Sequence, residues 1–217
     1  MNTEELFIIG MDLSGPGNGK DTAAAVFACR GQHLLMLEHL IGADDHALHD
    51  FLRQYRGAKV TLGLDAPLSY NPGGGDRPGD RALRAICIRS GLRSGTIMAP
   101  TMTRMAYLTL RGMAIARLAE RILPAVQIVE VHPGATLALH GARVEDVLQL
   151  KLSQQSRLNL LGWLERQGLT GAADIETPGE HYVAAMAAVL AAWKYQQGRS
   201  QWLHEAEPPL HPYDYAC

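Results

Sequence analysis

The sequence has few cysteines, few lysines and almost no net charge. Its 217 residues include only Cys29, Cys87 and Cys217, at wide spacings and without a Cys-x-x-Cys pair. This scarcity argues against a disulfide framework or a cysteine-rich zinc site, and it favours a reducing, cytoplasmic environment. The formal net charge of -2 argues against a strongly basic protein that coats nucleic acid.

Long apolar runs are also missing. No stretch approaches the roughly 20 apolar residues that span a bilayer, and the N-terminal Met1-Asn-Thr-Glu-Glu is acidic where a signal peptide would be basic. We therefore expect a soluble, intracellular protein without a membrane partner. Hydrophobic residues make up 47% of the chain and charged residues 19%, which predicts one globular domain over residues 1–217.

Arginine is distributed unevenly along the chain. Nine arginines lie between residues 77 and 121 against two acids, Asp80 and Glu120, so this stretch carries a formal charge of +7. Such a cluster predicts a surface that faces an anion, with solvated helix faces as the alternative. Since arginine contacts phosphate bidentately, the candidates for binding substrate phosphates are Arg81, Arg84, Arg104 and Arg111.

The spacing of apolar residues predicts an α/β fold. Strands are expected over about 6–12, 22–29, 33–40, 59–65 and 125–131, and helices over about 45–56, 78–90, 102–122, 144–167 and 182–196. Their order predicts a five-stranded mixed sheet flanked by helices, in which the first three strands are antiparallel and strand 4 lies beside strand 1. Residues 76–122 form an arginine-rich helical insertion, and residues 204–217 are expected to be an irregular tail.

Three carboxylates accompany the predicted strands. Asp12 ends strand 1 and Asp65 ends strand 4, so parallel neighbours would bring both to the carboxyl edge of the sheet, where α/β proteins bind ligands. Two close carboxylates repel unless a cation such as Mg²⁺ or Mn²⁺ neutralises them. Glu130, inside strand 5, would add a third carboxylate. The alternatives are that each Asp caps the turn after it and that Glu130 faces solvent at an edge.

The start of the last helix carries two more polar residues. Thr177-Pro-Gly-Glu180 matches a capping box, in which Glu180 binds the helix N-terminus. The following helix, however, is apolar nearly all round and is expected to pack across the sheet, which would bring Glu180 and His181 to its edge.

These segments together resemble a known family. They are GMDLSGPG from Gly10, LDAPLSYNPGGGDRPGDRALR from Leu64, VEVHPGATL from Val129, and the helix rich in small residues after Glu180-His181. They are similar to the bacterial and archaeal proteins of domain of unknown function 429, which are described as predicted ribonuclease H-like nucleases. The resemblance spans about residues 6–195 and is most specific at Asp65-Ala-Pro-Leu68.

The resemblance implies a ribonuclease H-like fold and a catalytic, metal-binding set formed by Asp12, Asp65 and Glu130. The last helix departs from the family pattern, because Glu180 and His181 stand where related sequences usually place an Asp. Some resolvase-type relatives of this fold use a His at that place.

The leading hypothesis is a divalent-metal-dependent phosphodiester hydrolase that acts on a nucleic acid or nucleotide. Asp12, Asp65 and Glu130 would hold Mg²⁺ or Mn²⁺, and Glu180 or His181 would bind a second metal or transfer a proton. One alternative is a nucleotide or phosphometabolite-binding protein that does not hydrolyse its ligand. Another is a homo-oligomeric scaffold whose alanine-rich last helix packs on a partner.

Overall fold

An eight-stranded mixed sheet runs through the computed structural model, which describes residues 5–217. The strands are β1 (Leu6–Asp12), β2 (Ala23–Arg30), β3 (His33–Ile41), β4 (Lys59–Asp65), β5 (Gln127–Val131), β6 (Leu169–Thr170), β7 (Leu203–His204) and β8 (Asp214–Ala216). Their order across the sheet is β6-β3-β2-β1-β4-β5-β8-β7. The antiparallel β1, β2 and β3 and the parallel placement of β4 beside β1 confirm the predicted centre of the sheet.

The prediction of five strands was wrong, because three short strands extend the sheet at its two edges. β6 pairs with β3 at one edge, while β8 pairs with β5 and then with β7 at the other. The segment 204–217, expected to be an irregular tail, thus contains the end of β7 and all of β8, and the connection between β7 and β8 is irregular. Each of these strands has only two or three residues, too few to show the alternation of a strand.

Helices cover both faces of the sheet. They are α1 (Asp45–Arg53), α2 (Pro78–Arg89), α3 (Thr103–Ile122), α4 (Pro133–Leu139), α5 (Val144–Gln149), α6 (Gln154–Arg166) and α7 (Glu180–Gln196). The single helix expected over 144–167 is divided in two, because the Ser153 hydroxyl caps a new helix by accepting from the Ser156 amide. Within residues 5–217, no helix combines the length and the apolar character that crossing a membrane requires.

α7 lies against the middle of one face, and α1 and α3 cover the other. Every α7 residue from Tyr182 to Trp193 is buried. The helix comes very close to the sheet: a Cβ atom on Gly10 would lie 2.4 Å from the Ala185 carbonyl oxygen, and one on Gly63 would lie 2.6 Å from that of Ala188. This alanine-rich helix is therefore packed within its own chain, and its buried residues Tyr182 to Trp193 do not form an exposed surface for a partner.

Acid is expected to destabilise the fold through His140, which follows α4. Burial, helped by the charge of Lys194, lowers the pKa of His140 from 6.5 to about 4, and Nε2 is buried without a hydrogen-bond partner in residues 5–217. In the unfolded chain, His140 is therefore protonated below about pH 6.5, whereas in the folded chain it stays neutral down to about pH 4. The stabilisation is complete above pH 6.5 and is lost as the pH falls from 6.5 towards 4.

Urea unfolding between pH 4 and pH 7 tests this expectation. His140→Gln should flatten the dependence of the free energy of unfolding on pH in that interval, with the exposed His46→Gln as the matched control. A pH dependence identical to that of the wild type would contradict it.

Candidate acidic site at the carboxyl edge of the sheet

Two carboxylates lie side by side where β1 and β4 end. Asp12 and Asp65 are direct partners in the parallel ladder, and their side chains are within hydrogen-bonding reach of each other. Burial raises the pKa of both carboxyl groups, and the nearby charge of Asp12 raises that of Asp65 further, to well above its ordinary value. The pair therefore favours a shared proton or a cation over two free negative charges.

The first turn of α7 adds a histidine to this pair. His181 Nδ1 lies 2.7 Å from Asp12 Oδ2, and this hydrogen bond is the main cause of the raised pKa of His181. His181 Nε2 lies 3.6 Å from Glu180 Oε1. A chain of titratable groups thus runs from Glu180 through His181 and Asp12 to Asp65.

Glu180 is free to join this chain of titratable groups because its side chain does not cap the helix. α7 begins at Glu180 with Gly179 as its N-cap, and no side chain caps it. The capping box predicted at Thr177 was therefore wrong. In the structure, α7 instead packs on the sheet and brings Glu180 and His181 to the edge of the sheet, as the competing expectation predicted.

Glu130 is turned away from the aspartate pair. It is in register with Leu64, one residue before Asp65, and successive residues of a strand point to opposite faces. Its charge contributes to the raised pKa of Asp65, but both of its oxygens are bound by Arg77, at 2.8 Å and 2.5 Å. Across residues 5–217, no three His, Cys, Asp or Glu side chains are grouped so that they could hold a metal ion.

Arg77 and Glu130 instead hold the segment that follows Asp65. The Glu130 carboxylate also accepts a hydrogen bond of 2.8 Å from the Leu68 amide, and Arg77 donates to the Ser69 hydroxyl. Asp80 completes the network by accepting from the Arg77 guanidinium at 2.7 Å. Since all three charged side chains are buried, this network fixes the backbone next to the acidic pair.

Glu130→Gln is therefore expected to destabilise the fold. Breaking a buried ion pair leaves an uncompensated charge and costs about 3 kcal/mol, which denaturant unfolding measures directly. The exposed Glu176→Gln is the matched control and should change the free energy of unfolding by less than about 0.5 kcal/mol. A loss below about 1 kcal/mol for Glu130→Gln would contradict the anchoring role, because a buried pair should cost more.

The acidic pair opens into a cavity of about 480 Å³. Glu180 and His181 line it next to Asp12 and Asp65. Glu130 and Asp80 also reach its wall, and much of the remainder is apolar. Two exposed cations, Arg93 and Lys151, also line the cavity. The Lys151 Nζ lies 3.9 Å from a Glu180 carboxylate oxygen.

The four arginines predicted to bind phosphate do not line this cavity. Arg84 is paired with Asp76. The buried Arg111 binds Asp45 and donates to the Thr22 hydroxyl. Arg81 donates to a backbone carbonyl, and Arg104 is exposed on the first turn of α3.

The sequence did not indicate that Lys151 lines the cavity, because α5 and α6, the helices on either side of it, were predicted as one helix. Ser153 is the signal that could have found it, since a Ser inside a predicted helix is a candidate N-cap. A helix that begins there leaves Lys151 in the connection before it, at the rim of the cavity.

The fold and site define a class of α/β proteins with an aspartate pair at the carboxyl edge of a mixed sheet and a histidine supplied by a buried helix. A family model, protein of unknown function (DUF429), matches residues 10–208, and the chain belongs to this family. The matched range includes every residue of the acidic site. Comparisons with curated proteins and with solved structures found no match.

Proposed function

We propose that this protein is a divalent-metal-dependent phosphodiester hydrolase with a ribonuclease H-like fold. The central strand order β3-β2-β1-β4-β5 agrees with the fold that the sequence resemblance implies. The observation that carries the proposal is the adjacent pair Asp12 and Asp65, at the carboxyl ends of neighbouring parallel strands, where α/β proteins bind their ligands.

The pair fits a divalent cation. Mg²⁺ is usually bound by one or two carboxylates, and water and substrate oxygens complete its coordination. A cation would also relieve the repulsion that helps to raise the pKa of Asp65. When bound, it would polarise a phosphoryl oxygen and lower the pKa of a water molecule. Glu130 does not belong to this set, because Arg77 occupies both of its oxygens.

The chain's own residues supply the remaining functions. Asp12 orients the His181 ring through Nδ1, which leaves Nε2 on the side of Glu180 and the cavity. With its raised pKa, His181 is suited to donate a proton to the leaving oxygen as a general acid. Before this transfer, the nearby Glu180 carboxylate would stabilise the positive charge of the imidazolium.

Titration with Mn²⁺ and hydrolysis of bis(4-nitrophenyl) phosphate test the proposal. The wild type should bind Mn²⁺ and cleave the phosphodiester, and Asp12→Asn should lower the metal affinity about tenfold or more. The exposed Asp50→Asn, on α1, is the matched control. Cleavage that persists in excess EDTA, or that Asp12→Asn leaves unchanged, would overturn the proposal.

One observation favours the non-hydrolysing alternative. The engagement of Glu130 by Arg77 leaves two carboxylates where the resemblance implies three. A protein whose melting temperature rises with nucleotide and Mg²⁺, but which cleaves no phosphodiester, would be a nucleotide or phosphometabolite-binding protein instead.

A further inference from the structure

The cavity at the acidic site has two chemically different sides. Its acidic side carries Asp12, Asp65, Glu180 and His181, and the apolar side is formed by Leu92, Ile97, Met98, Met105, Leu108 and Leu148. Its volume of about 480 Å³ lies within the range of roughly 300–1,000 Å³ that is typical of small-molecule sites. A ligand that fills it must therefore present an apolar group to one side and polar atoms to the other.

The apolar side is suited to a flat group. Met98 lines the cavity although 46% of its surface is exposed, and Met105 lines the same cavity from α3. Methionine side chains are polarizable, adapt their shape and make favourable contacts with aromatic rings. A nucleobase, whose flat face can contact these side chains, therefore matches this wall better than a sugar does.

The two exposed cations in the cavity wall, Lys151 and Arg93, are suited to binding a phosphate. The Lys151 side chain is 81% exposed and reaches the acidic side of the cavity near Glu180. Arg93 is exposed at the start of the short turn Ser94–Thr96. The third cation in the wall, Arg77, is already neutralised by Glu130 and Asp80.

Seven of the nine arginines in the arginine-rich stretch do not line the cavity. Leu83 of α2 packs in the core cluster of α7, whereas Ile115 of α3 packs in the cluster on the other face of the sheet. Three arginines of the stretch, Arg77, Arg84 and Arg111, have acidic partners within the fold. A nucleic-acid polymer is held by many cations along its backbone, whereas the exposed cations in the wall of this cavity are Arg93 and Lys151.

We infer that the substrate is a nucleotide-sized phosphate ester, whose base lies between Met98 and Met105 and whose phosphate is bound by Lys151 and Arg93. This inference rests on the proposed function and names the substrate class of the same site. Binding of a polymer is the competing outcome.

Calorimetric titration in Mg²⁺ compares adenosine 5′-monophosphate, ribose 5-phosphate and a single strand of about 20 nucleotides. Adenosine monophosphate should bind about tenfold more tightly than ribose 5-phosphate, because only the former places a base against the apolar side. Met105→Ser should reduce this ratio. Lys151→Met should weaken both small ligands about tenfold, whereas Lys59→Met, at the opposite end of β4, should change neither.

The two proposals fail in different ways. Tighter binding of the single strand than of the mononucleotide, with a steep dependence on salt, would overturn the inference and leave the hydrolase proposal standing. Equal affinity for adenosine monophosphate and ribose 5-phosphate, or no binding of either, would also overturn it. The predicted ligand ranking together with no cleavage of thymidine 5′-(4-nitrophenyl phosphate) in Mn²⁺ would support the inference and overturn only the hydrolase.

Discussion

Asp65→Asn is expected to abolish hydrolysis and, in the same protein, to increase its stability. Activity should fall about a thousandfold or more, because the substitution removes one of the two carboxylates that would hold the proposed cation. Stability should rise because Asn is neutral and nearly isosteric, so its burial beside Asp12 carries no charge repulsion. The gain should be measurable in metal-free protein at neutral pH, because the raised pKa of Asp65 reflects the cost of holding its charged form in the fold.

The sign of the pH dependence follows from the raised pKa of Asp65. The folded protein keeps a proton that the unfolded chain releases above its ordinary pKa of 3.8, so the contribution of Asp65 to the stability of the metal-free wild type falls as the pH rises from 3.8 towards the raised value. Asp65→Asn lacks this loss, and its advantage should grow across that interval.

Unfolding in EDTA at pH 5 and at pH 8, with and without subsequent addition of Mn²⁺, measures both effects. Mn²⁺ should stabilise the wild type more than Asp65→Asn, and Asp50→Asn should behave like the wild type in metal response and activity. An Asp65→Asn protein that is less stable than the wild type in EDTA at pH 8 would contradict the buried, repelling pair.

Gly63→Ala is expected to displace α7 from the sheet. The added Cβ would lie 2.6 Å from the Ala188 carbonyl oxygen, and a backbone atom within a buried helix cannot move aside as a flexible side chain can. Overpacking of this kind costs about 3 kcal/mol. Because α7 also carries His181, the variant should lose activity together with stability.

Gly17→Ala is the matched control, since a Cβ at Gly17 would meet no atom within 4 Å. Thermal unfolding should show a fall in melting temperature for Gly63→Ala of about 5 °C or more and little change for Gly17→Ala. A Gly63→Ala protein with the melting temperature of the wild type would show that α7 does not pack this closely against Gly63.

The centre of the sheet could be predicted from the sequence because its strands are long. The apolar runs of β1 and β4 each end in an aspartate, and a parallel pair of such strands places both carboxylates at the same edge. The edge strands β6, β7 and β8 could not be predicted in this way. Their two or three residues become strands through the partners that the fold offers them.

The direction of Glu130 could not be predicted because it depends on the register between β4 and β5. A shift of one residue moves a side chain to the other face of a sheet, and the sequence Val129-Glu-Val contains no signal that fixes this shift. Its partner Arg77 lies 53 positions earlier, inside a cluster of arginines that resembles a charged surface when counted along the chain. Only the fold shows that this arginine is buried.

The close packing of α7 on Gly10 and Gly63 links the site to the order of synthesis. His181 and Asp12 are 169 positions apart, and contacts over such separations are costly to close and form slowly. A growing chain that has left the ribosome only as far as β5 already carries both aspartates but lacks the histidine. Asp12, Asp65 and His181 therefore come together only after α7 has been synthesised and has packed against the sheet. Assembly of the acidic site is thus expected to be a late step of folding.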